Sequence, residues 1–192
     1  MLVLASASPR RQELLRNAGI AFTVQPADID ETPLANELPR DYAERLAREK
    51  ALAVSEAQSE KYVLGADTIV VIDDQILGKP PDADDAVRML RLLSGRTHAV
   101  ITGVCLVGPV ADGRPPVSGK TNSETTLVTM TEISDAEIRA YIATGEPMDK
   151  AGAYAIQGMA ARWIPRIEGD YSNVVGLPVA LVYKILLEMG AL

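Results

Sequence analysis

The chain has 192 residues, 47% of them hydrophobic and 23% charged, with a formal net charge of −7 and one cysteine. It is long enough to bury one domain-sized core, too acidic for non-specific duplex binding, which relies on Lys and Arg against phosphate, and unable to form an intramolecular disulfide. No apolar run reaches the roughly 20 residues of a membrane helix, and the N-terminus places its apolar residues ahead of its arginines, the reverse of a signal peptide; a soluble, cytoplasmic protein with no membrane or nucleic-acid partner is expected.

Residues 2–6 read as a buried strand. A helix follows from Pro9 to Asn17, with Ser8 at its N-cap, Pro9 at the first helical position and Gly19 just past its end. "AFTVQP" reads as a short strand, and "ADIDETPLANELP" as a polar loop carrying Asp28, Asp30 and Glu31. From Arg40 to about Gln58, Ala43, Leu46, Ala47, Ala53, Val54 and Ala57 mark the apolar stripe of a helix. "YVLGADTIVVIDDQILGKP" holds a β-branched strand, a hairpin turn at Asp73-Asp74 and the exit Gly78-Lys79-Pro80. A helix with an Asp-rich start and a stop at Gly95 comes next, then the strand "HAVITGVCLVG", in which Cys105 and His98 read as structural.

Pro109 to Lys120 reads as a surface loop, "ETTLVTM" as a strand, and "SDAE" as a capping box opening a helix that runs to Gly145. "GEPMDKAGAYAIQG" is too rich in glycine for a regular element. "RWIPRIEGDYSNVVGLP" reads as strand and loop, and residues 178–189 as a closing apolar helix. Alternating strands and helices predict an α/β fold around a mixed, twisted sheet.

Several phosphate motifs are excluded. "GRPPVSGKT" has one residue too many between its glycines for a P-loop, and its two prolines offer no N–H. No GxGxxG follows a strand, and Asp67 is followed by Thr68 and Ile69, so a two-aspartate phosphotransfer motif is missing. Three features remain. The N-terminus of the first helix, with Ser8, Arg10 and Arg11, reads either as an anion site or as a capped helix start. Lys50 falls on the apolar stripe, so its ammonium either snorkels outward or reaches an anion. Asp67 stands inside "VLGADTIVV", where a carboxylate is costly unless paired or bound to a metal, and Gly65 beside it permits close approach of a ligand or another backbone.

Taken together, "LASASPRRQELL", Lys50 in its helix, "GADTIVV", "GKP", "LSGRTHAVITGV", "GEPMDKAGAYAIQG" and "IEGDYSNVVGLP" resemble, in order and across nearly the whole chain, the Maf family of nucleoside triphosphate pyrophosphatases. The resemblance implies a single domain over residues 1–192 with two lobes around a cleft, the second lobe taking in residues 72–130 with neighbouring segments. It implies a nucleotide diphosphatase that hydrolyses a nucleoside triphosphate to the monophosphate and pyrophosphate with Mg²⁺ or Mn²⁺.

Carried onto this sequence, Asp67 is the proton acceptor, Ser8, Arg10, Arg11, Lys50 and Lys79 bind phosphate, and Glu31 joins Asp67 at the metal. Arg11, Thr68 and Gln157 fall where the family sets base preference. Threonine after the aspartate and "YAIQG" look like the subgroup acting on dTTP and UTP; the 7-methyl-GTP subgroup has glutamine after the aspartate. A homodimer is compatible with the resemblance. The family's septum-formation label also admits a non-catalytic nucleotide-binding regulator of division. Asp67 separates the two readings, since a carboxylate beside polyphosphate repels and serves a binder poorly.

Overall fold

The computed structural model describes residues 1–109 and 119–192. Most of the loop expected from Pro109 to Lys120, and with it most of "GRPPVSGKT", lies outside the described residues. The described strands are β1 (Leu2–Leu4), β2 (Phe22–Val24), β3 (Tyr62–Ile72), β4 (Gln75–Leu77), β5 (Thr97–Val107), β6 (Lys120–Thr129) and β7 (Arg166–Glu168). Helices are α1 (Pro9–Asn17), α2 (Pro39–Ser55), α3 (Ala83–Leu93), α4 (Asp135–Ile142), α5 (Tyr171–Val175) and α6 (Val179–Glu188). The seven strands form one sheet in the order β2-β1-β3-β5-β6-β7, with β4 paired to β3. β1 runs parallel to β2 and β3, whereas β3–β4 and β6–β7 are antiparallel. The sheet is mixed and the fold α/β, as the alternation of elements predicts.

The chain divides into two compact units. The first comprises Met1–Asp67, Thr102–Glu124 and Gly176–Leu192, and the second Thr68–Ile101 and Thr125–Val175. In the first unit the period of two along the strands sorts side chains onto two faces. Leu2, Leu4, Leu64, Ala66, Val104 and Leu106 pack with Leu15 of α1 and with Val182, Ile185 and Leu186 of α6. Val3, Ala5, Val63, Cys105 and Val107 pack with Ala47, Ala51 and Val54 of α2. Two glycines let α2 lie directly on the strands. A Cβ on Gly65 would stand 2.1 Å from the Ala47 carbonyl oxygen, and one on Gly103 would stand 2.2 Å from that of Ala43.

In the second unit Asp73 and Asp74 adopt φ of 49° and 59°, the conformation of a tight two-residue hairpin between β3 and β4. The capping box of α4 is formed by Ser134 and Glu137. Trp163 is buried, its indole N–H 3.3 Å from Glu137 Oε1 and its ring edge-on to Tyr141 at 5.3 Å. His98 is 2% exposed, with Nε2 2.8 Å from the Tyr154 hydroxyl and Nδ1 unpartnered.

Four local expectations are revised. β1 ends at Leu4, and β6 begins at Lys120, where a loop was expected. The glycine-rich stretch after α4 forms 3₁₀ turns at Glu146–Asp149 and Ala151–Ala153, with a third at Met159–Trp163. Tyr171–Val175, expected as loop, is a helix, because Asp170 Oδ1 accepts from the backbone N–H of Ser172 at 2.7 Å and so opens a helical turn.

Candidate active site

The seating of α2 on β3 builds the site. Asp67 follows Gly65 by two residues, so it emerges on the same face of β3, toward α2. It is 8% exposed. From α2, the buried Lys50 brings Nζ to 2.6 Å from Asp67 Oδ1 and 2.7 Å from Glu31 Oε1. Lys50 therefore does not snorkel; its ammonium is shared by two carboxylates. The close approach that Gly65 permits is that of the α2 backbone, and it is what brings Lys50 within reach of Asp67.

Arg11 stands next to this pair. Its Nε donates to the Gly176 carbonyl at 2.8 Å, and Nη1 donates to the Ala66 carbonyl at 2.8 Å and to Ser6 Oγ at 3.0 Å. The guanidinium thus holds the residue before Asp67. Burial pulls Arg11 below its ordinary pKa, while the charges of Asp67 and Glu31 push the other way. Burial likewise pushes the Asp67 carboxyl above its ordinary value; Lys50 and Arg11 oppose the shift and Glu31 adds to it. A carboxyl made readier to take a proton by burial, with two cations opposing that shift, suits a base. Ser8 accepts the Arg11 backbone N–H at 3.5 Å, the expected cap, and Arg10 is half-buried in the first turn of α1.

Ser8, Arg10, Arg11, Glu31, Lys50 and Asp67 all belong to the first unit. Thr68, Lys79 and Gln157 belong to the second. Thr68 is half-buried in β3, Lys79 is exposed after β4, and Gln157 is exposed before the last 3₁₀ turn. Among the described residues no group of three or more His, Cys, Asp or Glu could hold a metal. The two carboxylates on Lys50 provide hard oxygen donors. One or two such donors suit a divalent ion whose shell is completed by water and by substrate phosphates.

Tyr42 and Arg45 escaped the sequence reading. The Tyr42 hydroxyl donates to the Glu31 carbonyl at 2.7 Å. Arg45 Nη2 donates to the Thr32 carbonyl at 3.2 Å, and its Nε and Nη2 clamp the two carboxylate oxygens of Glu37 at 2.6 and 2.8 Å. Position gave one signal: Tyr42 precedes Lys50 by two helical repeats of four, on the same face of α2.

The Tyr42 hydroxyl is pushed up to about 12 by burial first, then by the charges of Asp67 and Glu31. No described helix is long and apolar enough to cross a membrane.

Comparison with known proteins agrees with the motifs. A "dTTP/UTP pyrophosphatase" of Koribacter versatilis is 57% identical over 191 residues, covering 100% of this chain and 95% of that protein. One from Geobacter metallireducens is 52% identical over 191 residues, covering 100% and 97%. Among solved structures, a Staphylococcus aureus Ham1 protein matches over 98% of each chain at 14% identity, with a TM-score of 0.46. The family model described as Maf-like protein matches residues 1–189, and the chain belongs to that family.

Proposed function

We propose that this protein hydrolyses dTTP and UTP to the monophosphate and pyrophosphate, water attacking the α-phosphorus. The observation that carries the proposal is the buried Asp67 carboxylate, bonded to Lys50 at 2.6 Å, with Arg11 bonded to the carbonyl of the preceding Ala66. The names of the relatives, "dTTP/UTP pyrophosphatase", support the substrate.

In this reading Asp67 takes the proton from the attacking water, a step worth roughly 10²–10⁴-fold in rate. Ser8, Arg10, Lys50 and Lys79 engage phosphate oxygens. Arg11 contributes positive charge while its Nε and Nη1 fix the backbone next to Asp67. Arg11, Thr68 and Gln157 set the choice of base. Asp67 and Glu31 would hold Mg²⁺ or Mn²⁺, which supplies charge to offset that developing on the phosphate oxygens. Lys50 then has a second role: free of nucleotide it neutralises both carboxylates, and with nucleotide present it has phosphate to turn to. The cytoplasm, where nucleoside triphosphates are made and used, is the proposed setting.

The test is pyrophosphate release from dTTP, UTP, CTP, 7-methyl-GTP and the common purine triphosphates, with Mg²⁺ or Mn²⁺. Selective release from dTTP and UTP is expected. Release from 7-methyl-GTP instead would overturn the assigned roles of Thr68 and Gln157, and nucleotide binding without release would overturn hydrolysis itself.

A further inference from the structure

We propose that Tyr42 and Arg45 are positioning residues that hold Glu31 against Lys50 and Asp67. The inference rests on the reading of that trio as the reaction centre.

Glu31 lies in a segment with neither helix nor strand, and its side chain is 53% exposed. A carboxylate so placed ordinarily samples many rotamers, and fixing it costs conformational entropy. Yet its Oε1 is held 2.7 Å from Lys50 Nζ. The backbone shows how. Tyr42 fixes the carbonyl of Glu31 and Arg45 fixes that of Thr32, so consecutive peptide groups are pinned from one helix.

The rest of the segment is fastened by the same arginine. Its fork closes on Glu37, whose Oε2 also accepts the Leu34 N–H at 3.0 Å. Asp30 Oδ1 accepts from the N–H and the hydroxyl of Thr32 at 2.9 and 2.6 Å, tightening the turn around Glu31. Arg45 in turn lies over the Tyr42 ring at 5.4 Å and bonds Glu49 one turn onward at 3.2 Å. Its bonds to Glu37 and Glu49 raise its pKa, so it stays a cation throughout the working range.

Tyr42, Arg45 and Lys50 all stand on α2. The groups that hold the Glu31 segment and the ammonium that Glu31 touches are therefore set by one rigid element, the kind of support a site needs to keep its geometry.

The experiment is a double-mutant cycle on the full chain, read by kcat and KM for dTTP and by amide hydrogen exchange over residues 30–37. Tyr42→Phe removes only the hydroxyl. It is expected to lower kcat/KM roughly 3- to 10-fold, the worth of one hydrogen bond, and to speed exchange in residues 31–34 while leaving the urea midpoint nearly unchanged. In a Glu31→Gln background the same substitution should change kcat/KM by less than about 2-fold, because Tyr42 acts through Glu31. Arg45→Lys keeps the charge but loses the fork, and should follow the same pattern. Equal losses in both backgrounds would overturn the proposal, as would full activity for Glu31→Gln. If the unaltered protein releases no pyrophosphate, the proposed reaction fails, and exchange alone decides this point: unchanged protection in Tyr42→Phe would show that the hydroxyl does not hold the segment.

Discussion

Lys50 lies on the face of α2 that otherwise packs against strands, where an unpaired ammonium would be costly; Asp67 and Glu31 remove that cost together. The arrangement makes Asp67 separable from substrate binding. Asp67→Asn keeps the shape and leaves an amide oxygen for Lys50, so nucleotide affinity by calorimetry should persist while kcat falls by roughly 10²–10⁴-fold. Turnover at the original rate would remove Asp67 from the chemistry. Lys50 and Asp67 were legible in the sequence because each breaks a hydrophobic pattern, and a charged residue at an inward position is a signal by itself. Tyr42 and Arg45 were not. A tyrosine at an inward position is ordinary core, an arginine at the edge of a helix is ordinary surface, and a bond to a carbonyl oxygen in another segment leaves no mark on either sequence.

The meeting of α2 with β3 and β5 depends on two missing side chains. Gly103→Ala would place its Cβ against the carbonyl of Ala43, a backbone group that cannot rotate away. We expect a loss of at least roughly 1–3 kcal/mol, as in overpacked cores, seen as a lower urea midpoint. Gly65→Ala meets the Ala47 carbonyl in the same way and should in addition reduce activity, since it moves Lys50 relative to Asp67. A Gly103→Ala protein as stable as the original would show that α2 can lift without cost. Helix caps carried much of the fold in plain text: α1 begins at Pro9 behind Ser8, and α4 begins behind its capping box. The short α5 was hidden because its cap, Asp170, follows a glycine and precedes a stretch whose burial comes from distant partners. Asn173 shows this, donating to the Val100 carbonyl and to Thr126 Oγ1, both at 3.0 Å. Nothing local predicts those bonds.

Stability should depend on pH through the chain's one histidine. Burial lowers the His98 pKa from 6.5 to about 4. Between those values the unfolded chain binds a proton that the folded chain refuses, so stability is full above pH 6.5 and is lost as pH falls toward 4. From pH 7 to pH 5 this amounts to about 2 kcal/mol. Asp67 works in the opposite sense, because its raised pKa lets the folded state keep a proton that the unfolded state releases. His98→Gln isolates the histidine: its urea midpoint should fall less than that of the original protein between pH 7 and pH 5, and an equal fall would assign the dependence elsewhere. The other ring in short supply has a use of its own. Trp163 is the chain's one tryptophan and belongs to the second unit, so its fluorescence witnesses the melting of that unit alone, whereas far-ultraviolet dichroism averages every helix and strand. β3, β5 and β6 each contain residues of both units, and the two signals should therefore change at one denaturant concentration. Two midpoints would mean that the peptide bond between Asp67 and Thr68 joins a residue still ordered to one already lost.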